Sequence, residues 1–187
     1  MTEVNITIGR FQPLTNGHMS CIEDAYHKLK IPTVICMIGV DENKVDEKHP
    51  FPSTMLLPMY KKLLAKNRMI AGIILVKNAN IVEIGSTLYE QGYQVKSWSC
   101  GTDRIASYKK MADKYAEQAH LADDFEMIEI KRGDEDISAT KVRQAILDND
   151  YKKFVSMTPL VTLQSRLEGT ECYNELREQL LKIYNKS

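Results

Sequence analysis

The chain opens with MTEVNITIGRFQPLTNGHMS, residues 1–20, in which an apolar run ends at a glycine and a loop leads into a helix-like stretch. The loop carries Arg10, Pro13, Gly17 and His18 in one short connection. Glycines, a proline, a cation and a histidine make a poor core, but they are suited to holding an anion. The stretch therefore predicts an anion site where the first strand ends.

Beyond this stretch, strand-like and helix-like segments alternate five times along the chain. The predicted strands cover residues 4–8, 33–40, 73–76, 94–99 and 125–130, and the predicted helices cover residues 17–29, 55–66, 81–91, 106–119 and 138–147. Such alternation is typical of a parallel sheet with helices on both faces. We therefore predict a doubly wound α/β fold with five parallel strands in the order 3-2-1-4-5.

The sequence shows no internal repeat, low-complexity tract or evident linker before residue 150. After that point it predicts a short helix over residues 151–156 and a longer helix over residues 170–184. We expect one domain over residues 1–156 and a C-terminal helical extension over residues 157–187 that packs on it.

Composition narrows the class of protein. The 187 residues are 43% hydrophobic and 27% charged, which is usual for a soluble globular protein. Lys plus Arg and Asp plus Glu both total 25, so the net charge is zero and a dedicated nucleic-acid binder is disfavoured. No apolar run reaches the ~18 residues of a membrane span, no signal peptide is evident, and neither cysteines nor histidines show metal-ligand spacing. We expect a cytoplasmic protein without a metal site of its own.

The opening loop lies where an open parallel sheet binds its ligands, beyond the carboxyl end of a strand. Gly17 lets the backbone approach a ligand closely, and the helix that follows directs free N–H groups and a partial positive charge toward it. His18 lies in the first turn, and the Thr15 hydroxyl can turn toward the same point. Neither GxxxxGK[ST] nor GxGxxG is present, which disfavours a P-loop kinase and a dinucleotide dehydrogenase.

A second cluster stands in KRGDEDISATKVRQAI, residues 131–146. Asp136 or Ser138 can cap the helix that follows, and Thr140 lies in its first turn. Arg143, three residues later, is on the same side of that helix. Hydroxyls and a guanidinium at a helix N-terminus predict a second phosphate-binding element.

Together, GRFQPLTNGH at residues 9–18 and ISATKVR at residues 137–143 resemble the nucleotidylyltransferase superfamily, with its paired [H/T]xGH and ISxTxxR motifs. GRFQP is similar to archaeal-type nicotinamide-mononucleotide adenylyltransferases. TNGH, with Thr15 where most members have histidine, is similar to phosphopantetheine adenylyltransferase. Residues 4–156 fit the Rossmann-like fold of that superfamily.

The resemblance implies a reaction in which an acceptor phosphate attacks the α-phosphorus of a nucleoside triphosphate and pyrophosphate leaves. It implies that His18 and Thr15 hold the α-phosphate, and that Arg10 and Arg143 grip the β- and γ-phosphates. It places the nucleotide-binding residues at Gly9, Arg10, Phe11, Gly17, Lys44, Gly101, Asp103, Ser138 and Thr140. Mg²⁺ is expected to arrive with the triphosphate, because it retains waters and binds phosphate oxygens.

Several residues keep two interpretations. Lys44 is either a cation that faces the phosphates or a solvated lysine in a charged loop, and Asp103 contacts ribose or base or else caps a helix. His49 is predicted to be a surface histidine. Trp98, the single tryptophan, is either a core residue or an indole that stacks on the acceptor's pyridinium ring by a cation–π contact; we predict the stacking role.

The leading function is transfer of AMP from ATP to nicotinamide mononucleotide, giving NAD. A cytidylyltransferase and a pantetheine-phosphate adenylyltransferase are alternatives within the superfamily, since PFPSTMLLPMYKK at residues 50–62 lacks the acid and arginine of the archaeal-type segment. A non-catalytic nucleotide sensor is the alternative from another class. The expected partners are a nucleoside triphosphate and a phosphorylated small molecule, without nucleic acid or membrane, and a homo-oligomer is left open.

Overall fold

The structure is a computed structural model that describes residues 1–131, 138–161 and 166–185. These residues divide into two compact units, which are described separately. The sheet unit comprises described residues 1–9, 21–38 and 67–131, and the helical unit comprises described residues 10–20, 39–66, 138–161 and 166–185.

The order of elements follows the predicted alternation. The strands are β1 Thr2–Gly9, β2 Thr33–Ile38, β3 Ile70–Val76, β4 Tyr93–Gly101 and β5 Glu126–Ile130. The α-helices are α1 Asn16–Leu29, α2 Ser53–Leu64, α3 Ile81–Glu90, α4 Thr102–Tyr115, α5 Ala139–Leu147, α6 Tyr151–Met157 and α7 Arg166–Tyr184, with a 3₁₀ helix at Glu42–Lys44.

The sheet confirms the predicted topology. Its five strands lie in the order β3-β2-β1-β4-β5, and every neighbouring pair is parallel. The chain moves outward from β1 on one side through β2 and β3, and on the other side through β4 and β5. This arrangement is a Rossmann-like fold, in which the switch point lies between β1 and β4.

A hydrophobic cluster holds the sheet unit together. Buried strand residues such as Ile6, Val34 and Trp98 pack with Ile84 and Leu88 of α3. Central parallel strands that are covered on both faces carry apolar side chains without strict alternation, as TVICMI of β2 does.

One polar residue, Asn5, is buried in the middle of this sheet, and both the nitrogen and the oxygen of its side-chain amide are hydrogen-bonded. Its Nδ2 donates to Thr33 Oγ1 over 3.0 Å, and its Oδ1 accepts from the hydroxyls of Ser97 over 2.7 Å and Ser99 over 3.1 Å. The network joins the three central strands, because Asn5 lies on β1 between β2 and β4. Polar side chains on β4 thus have partners inside the sheet.

Helix α4 begins four residues earlier than predicted. Gly101 is its N-cap in an extended conformation, and Thr102 and Asp103 lie in the first turn. The first turn carries exposed polar side chains, so the apolar periodicity that marks a helix begins later than the helix itself. Asp103 is not the cap, but its carboxylate is placed favourably toward the positive end of the helix.

In the helical unit, α5 packs against both α6 and α7. The buried residues of the helical unit include Phe154 from α6 and Leu176 and Leu180 from α7. Tyr173 Oη on α7 lies 2.8 Å from Asn149 Oδ1. The predicted domain boundary near residue 156 stays a prediction. Among the described helices, none is long and apolar enough to cross a membrane.

Candidate functional site

The loop that follows Gly9 is held by side chains from two places in the helical unit. The carbonyl of Phe11 accepts from Tyr60 Oη over 2.7 Å, and the carbonyl of Leu14 accepts from Thr158 Oγ1 over 2.7 Å. Tyr60 Oη also accepts from the Leu14 amide over 3.0 Å. A loop with satisfied backbone groups has few alternative conformations, so the residues that it carries are preorganised.

Gln12 forms a second set of contacts within this loop. Its Nε2 donates to the Phe51 carbonyl over 2.8 Å, and its Oε1 accepts from the Phe51 amide over 2.9 Å. The Gln12 carbonyl accepts from Arg143 Nη1 over 2.6 Å. Gln12 therefore joins the first loop to residues 50–51 and to α5.

Phe11 has a φ of 51°, which is uncommon for a residue with a side chain. Its ring is buried and meets the His18 ring edge-on, with the ring centroids 4.8 Å apart and the planes at 79°. Phe11 is predicted to bind the nucleotide. The structure instead makes it a support for His18, because a buried ring packed on the imidazole has little surface left for a ligand.

Thr15 and His18 form a reciprocal cap at the N-terminus of α1. Thr15 Oγ1 accepts from the His18 amide over 3.3 Å, and His18 Nδ1 accepts from the Thr15 amide over 3.0 Å. This is the bonding pattern of a capping box, with histidine in the place of the usual Glu or Gln. Gly17, between them in the first turn, is exposed.

The reciprocal cap fixes the tautomer of His18. A backbone amide always donates, so the Nδ1 atom that accepts from Thr15 carries no proton, and the proton of the neutral ring lies on Nε2. Thr15 Oγ1 lies 3.2 Å from the same Nδ1. Thr15 is 1% exposed, which corrects the prediction that its hydroxyl contacts the α-phosphate: here Thr15 orients His18.

Arg143 on α5 is a buried cation. It is 7% exposed, and its Nη2 donates to Thr140 Oγ1 over 3.3 Å, in addition to the bond from Nη1 to Gln12. Within the described residues, no carboxylate lies within ion-pair distance of this guanidinium. Burial lowers the pKa of Arg143, while Tyr184 and Asp46 act in the opposite direction; arginine nonetheless stays protonated.

Ser138, one of the two predicted capping residues, caps the start of α5. Ser138 is extended, and its side chain accepts from the Lys141 amide over 3.3 Å. Thr140 lies in the first turn and accepts from Arg143. Asp136, the other candidate cap, lies outside the described residues.

Two further predicted phosphate-binding cations, Lys44 and Arg10, are exposed. The Lys44 side chain is 75% exposed and lies 3.8 Å from an oxygen of Asp41, as expected of a solvated lysine. Arg10, just after β1, is exposed as well. These two cations occupy the helical unit together with Arg143.

His49 in the loop after β2, predicted to be a surface histidine, is partly exposed. Its side chain is 27% exposed, and its amide donates to Asp46 Oδ1 over 2.6 Å. Burial lowers the pKa of the imidazole, and the positive charges of Arg10, Lys48 and Arg143 act in the same direction, whereas the carboxylate of Asp46 raises it. Three cations thus act on one histidine, a concentration of positive charge suited to a polyphosphate.

Three residues of this arrangement were not predicted from the sequence to belong to the site, namely Gln12, His49 and Tyr60. A polar residue inside the otherwise apolar segment FQPL was a usable signal for Gln12. His49 and Tyr60 gave no comparable signal, because their roles depend on partners about 40 or more residues away in the chain.

Three predicted nucleotide-binding residues belong to the sheet unit. Gly9 ends β1 and is half-buried, Gly101 ends β4 and caps α4, and Asp103 is exposed in the first turn of α4. All three therefore follow or end the two strands that flank the switch point. Their predicted roles stay predictions.

The prediction that Trp98 stacks on the acceptor is wrong. Trp98 is 0% exposed, belongs to the core of the sheet unit and stacks on Tyr108, with the ring centroids 4.2 Å apart. Its polar neighbours Ser97 and Ser99 bond to Asn5 inside the sheet, so they mark an internal network and not a crevice. The indole has no face to offer a ligand.

The described residues contain no group of three or more His, Cys, Asp or Glu side chains that could hold a metal ion. The expectation that Mg²⁺ arrives with the triphosphate, bound through phosphate oxygens and retained waters, stays a prediction.

Comparison with known families matches the chain to the cytidylyltransferase-like family over residues 6–145. That span begins in β1 and ends in α5, so it contains both the Thr15–His18 cap and Arg143. A comparison with curated proteins gave no match.

Among solved structures, the chain is similar to a bifunctional NMN adenylyltransferase/ADP ribose pyrophosphatase from Francisella tularensis, complexed with AMP and an MN ion. The identity is 17% and the TM-score 0.64, over 100% of this chain but only 54% of that one. It is also similar to nicotinic acid mononucleotide adenylyltransferase of Plasmodium falciparum complexed with APC, with 13% identity, a TM-score of 0.52 and coverage of 94% and 98%. At these identities the likeness shows the fold alone.

Proposed function

The chain belongs to the cytidylyltransferase-like family, and from this premise we propose that it transfers a nucleoside monophosphate from a nucleoside triphosphate to a phosphorylated acceptor, releasing pyrophosphate. The leading form of the proposal is transfer of AMP from ATP to nicotinamide mononucleotide, giving NAD. Nucleotidyltransferase activity is what the family membership supports, and the choice of triphosphate and acceptor is our proposal.

The observation that carries the proposal is the state of Arg143. A buried guanidinium normally has an anionic partner, because an uncompensated charge inside a protein is costly. Here its described partners are one carbonyl and one hydroxyl. A phosphate group would supply a negative charge that these two described partners do not, and guanidinium binds phosphate in a bidentate manner.

The chemical step needs alignment and charge neutralisation more than acid–base catalysis. The acceptor phosphate is already anionic, so it attacks the α-phosphorus without a strong general base. Negative charge that develops on the α-phosphate oxygens requires a donor held in place beforehand. We assign this role to His18, whose Nδ1 is bound by the Thr15 amide so that the proton lies on Nε2.

The cations of the helical unit would bind the leaving pyrophosphate. We assign Arg143 and Arg10 to the β- and γ-phosphates, with Ser138 and Thr140 at the start of α5 as further donors. Lys44 is assigned only a long-range electrostatic role, because its side chain is solvated. Mg²⁺, bound through the phosphate oxygens, would offset the charge of the triphosphate.

The proposed identity of the acceptor comes from the similar solved structures. Those named above are adenylyltransferases for NMN and nicotinic acid mononucleotide, which favours a pyridine mononucleotide. Cytidylyl transfer and a pantetheine-phosphate acceptor are the alternatives within the superfamily, and nucleotide sensing without catalysis is the alternative outside it.

A pyrophosphate-release screen tests the proposal. ATP and CTP are each crossed with nicotinamide mononucleotide, nicotinic acid mononucleotide, phosphopantetheine and several other phosphorylated acceptors. We expect release with ATP and nicotinamide mononucleotide. Release with another pair would move the assignment within the superfamily, and binding of triphosphate without release by any pair would favour the sensor.

A further inference from the structure

The loop that carries His49 is held by hydrogen bonds to the two residues that follow the histidine, Pro50 and Phe51. The side-chain amide of Gln12 forms two hydrogen bonds with the Phe51 backbone, of 2.8 and 2.9 Å. Gln179 Nε2 on α7 donates to the Pro50 carbonyl over 3.0 Å. Phe51 itself is fully buried. A loop bound in this way holds its histidine in one place, as a ligand-binding residue requires.

The same Gln12 links His49 to the proposed phosphate site. Its carbonyl accepts from Arg143 Nη1 over 2.6 Å, while its side chain binds the residue two positions after His49. Arg10 lies two residues before Gln12 in the chain. The segment that carries His49 and the guanidinium of Arg143 thus bind the same buried residue, Gln12.

The charges that act on His49 come from three segments of the helical unit. Arg10 follows β1, Arg143 lies on α5, and Asp46 and Lys48 belong to the loop of His49 itself. The carboxylate of Asp46 contacts the histidine, with Oδ1 3.7 Å from Nδ1. Three cations against one carboxylate favour the neutral imidazole in the ligand-free protein.

A bound polyphosphate would reverse this balance, because its negative charges offset the three cations and attract a proton to the ring. Resting on the proposed function, we propose that His49 is a further phosphate-binding residue, which takes up a proton from solvent when a polyphosphate binds and donates from the protonated ring to its terminal phosphates. The leaving pyrophosphate would then be held by a charge that the free protein does not carry.

The sign of the linkage follows from these charges. Because burial and the neighbouring cations lower the pKa of free His49, and a bound anion raises the pKa again, binding is accompanied by proton uptake between the two pKa values. The contribution of His49 to polyphosphate affinity therefore appears as the pH falls through the pKa of His49 in the complex. It is complete below the pKa of His49 in the ligand-free protein. Above the pKa of His49 in the complex this contribution is absent.

The test uses inorganic tripolyphosphate with the full chain, in the wild type and in His49→Gln. Affinity is measured by calorimetry from pH 5.5 to 8.5 in buffers of different ionisation enthalpy, which also counts the protons taken up. We expect His49→Gln to weaken binding about tenfold near pH 6, equivalent to ~1.4 kcal/mol, and to have little effect at pH 8.5. Comparison of the two proteins cancels the titration of the tripolyphosphate itself. His27→Gln, an exposed histidine on α1, is the matched control.

A second measurement needs no variant of His49. Proton NMR follows the four histidine rings of the wild type through a pH titration, with His49 assigned by elimination through variants of the other three. Its midpoint should rise when tripolyphosphate is added. Equal pH profiles in wild type and His49→Gln, or an unmoved midpoint, would overturn the inference while leaving the proposed function intact. Failure of the wild type to bind either tripolyphosphate or ATP would overturn both.

Discussion

Thr15 and His18 bond to each other in both directions, through the His18 amide to Thr15 Oγ1 and through the Thr15 amide to His18 Nδ1. One pair of residues therefore ends the loop, begins α1 and sets the tautomer of the imidazole. The [H/T]xGH spacing has a physical reason here: the first and fourth residues of a capping box are the ones that reach each other's amide.

Replacement of Thr15 by valine tests this relationship. Valine keeps the shape but removes the oxygen that accepts from the His18 amide. We expect a loss of about 1 kcal/mol in the free energy of unfolding and a kcat lower by up to about tenfold, because His18 is less well oriented. Urea unfolding and steady-state kinetics measure the two effects. Thr15→Ser, which retains the oxygen, should stay close to wild type; equal losses in both variants would contradict the assigned role.

Removal of the imidazole by His18→Ala should affect turnover more than binding. Because the charge on the α-phosphate develops only in the transition state, loss of one donor is expected to lower kcat by about 10²–10³. The KM for the triphosphate should change little. His27→Ala, on the exposed face of the same helix, provides the control. Near-normal kcat in His18→Ala would remove His18 from the mechanism.

Arg143 should influence both KM and kcat, because it is assigned to phosphates that are present in the ground state and in the transition state. A hydrogen bond to a charged group contributes about 1.5–3 kcal/mol, so Arg143→Ala should raise the KM for the triphosphate by about tenfold or more. Arg143→Lys should not restore it, since an ammonium cannot bind phosphate in a bidentate manner. Lys152→Ala, an exposed cation on α6, should behave as wild type. If Arg143→Ala were kinetically unchanged, Arg143 would have no more than a structural role.

Trp98 should influence stability and not acceptor affinity. Trp98→Ala leaves a large cavity in the core, at a cost of about 3–5 kcal/mol. Trp98→Phe should cost less, because Nε1 of this buried indole has no hydrogen-bond partner within the described part of the chain. The KM of the acceptor should change by less than about twofold in a folded Trp98→Phe protein, whereas an indole in the site would be expected to contribute ~0.5–2 kcal/mol of cation–π energy. A tenfold rise in that KM would reinstate Trp98 as an acceptor contact.

The fold could be predicted from the sequence because its signals are local. Each strand shows as an apolar run, each helix as a helical period, and five alternations leave few topologies open. The start of helix α4 was predicted too late for the same reason, since its first three residues, Thr102 to Arg104, are polar and exposed and carry no apolar signal.

The site could be predicted only in part, because much of it depends on distant partners. Thr15, His18 and Arg143 stand in recognisable local patterns. Gln12 acquires its role through Phe51, which is 39 residues away, and through Arg143, which is 131 residues away. The stacking role predicted for Trp98 is wrong because its polar neighbours Ser97 and Ser99 find their partner, Asn5, inside the sheet and more than 90 residues away in the chain.

The central claim is that the acceptor phosphate attacks the α-phosphorus of a nucleoside triphosphate. Its most direct test supplies the triphosphate with a radioactive label in the α-phosphate in one reaction and in the γ-phosphate in another, with nicotinamide mononucleotide and Mg²⁺ present. The account predicts that the α label appears in the dinucleotide and the γ label in pyrophosphate, in equal amounts, and that His18→Ala slows the formation of both products by the same factor, about 10²–10³. Appearance of the γ label in the acceptor or in inorganic phosphate, with release of a nucleoside diphosphate, would contradict it.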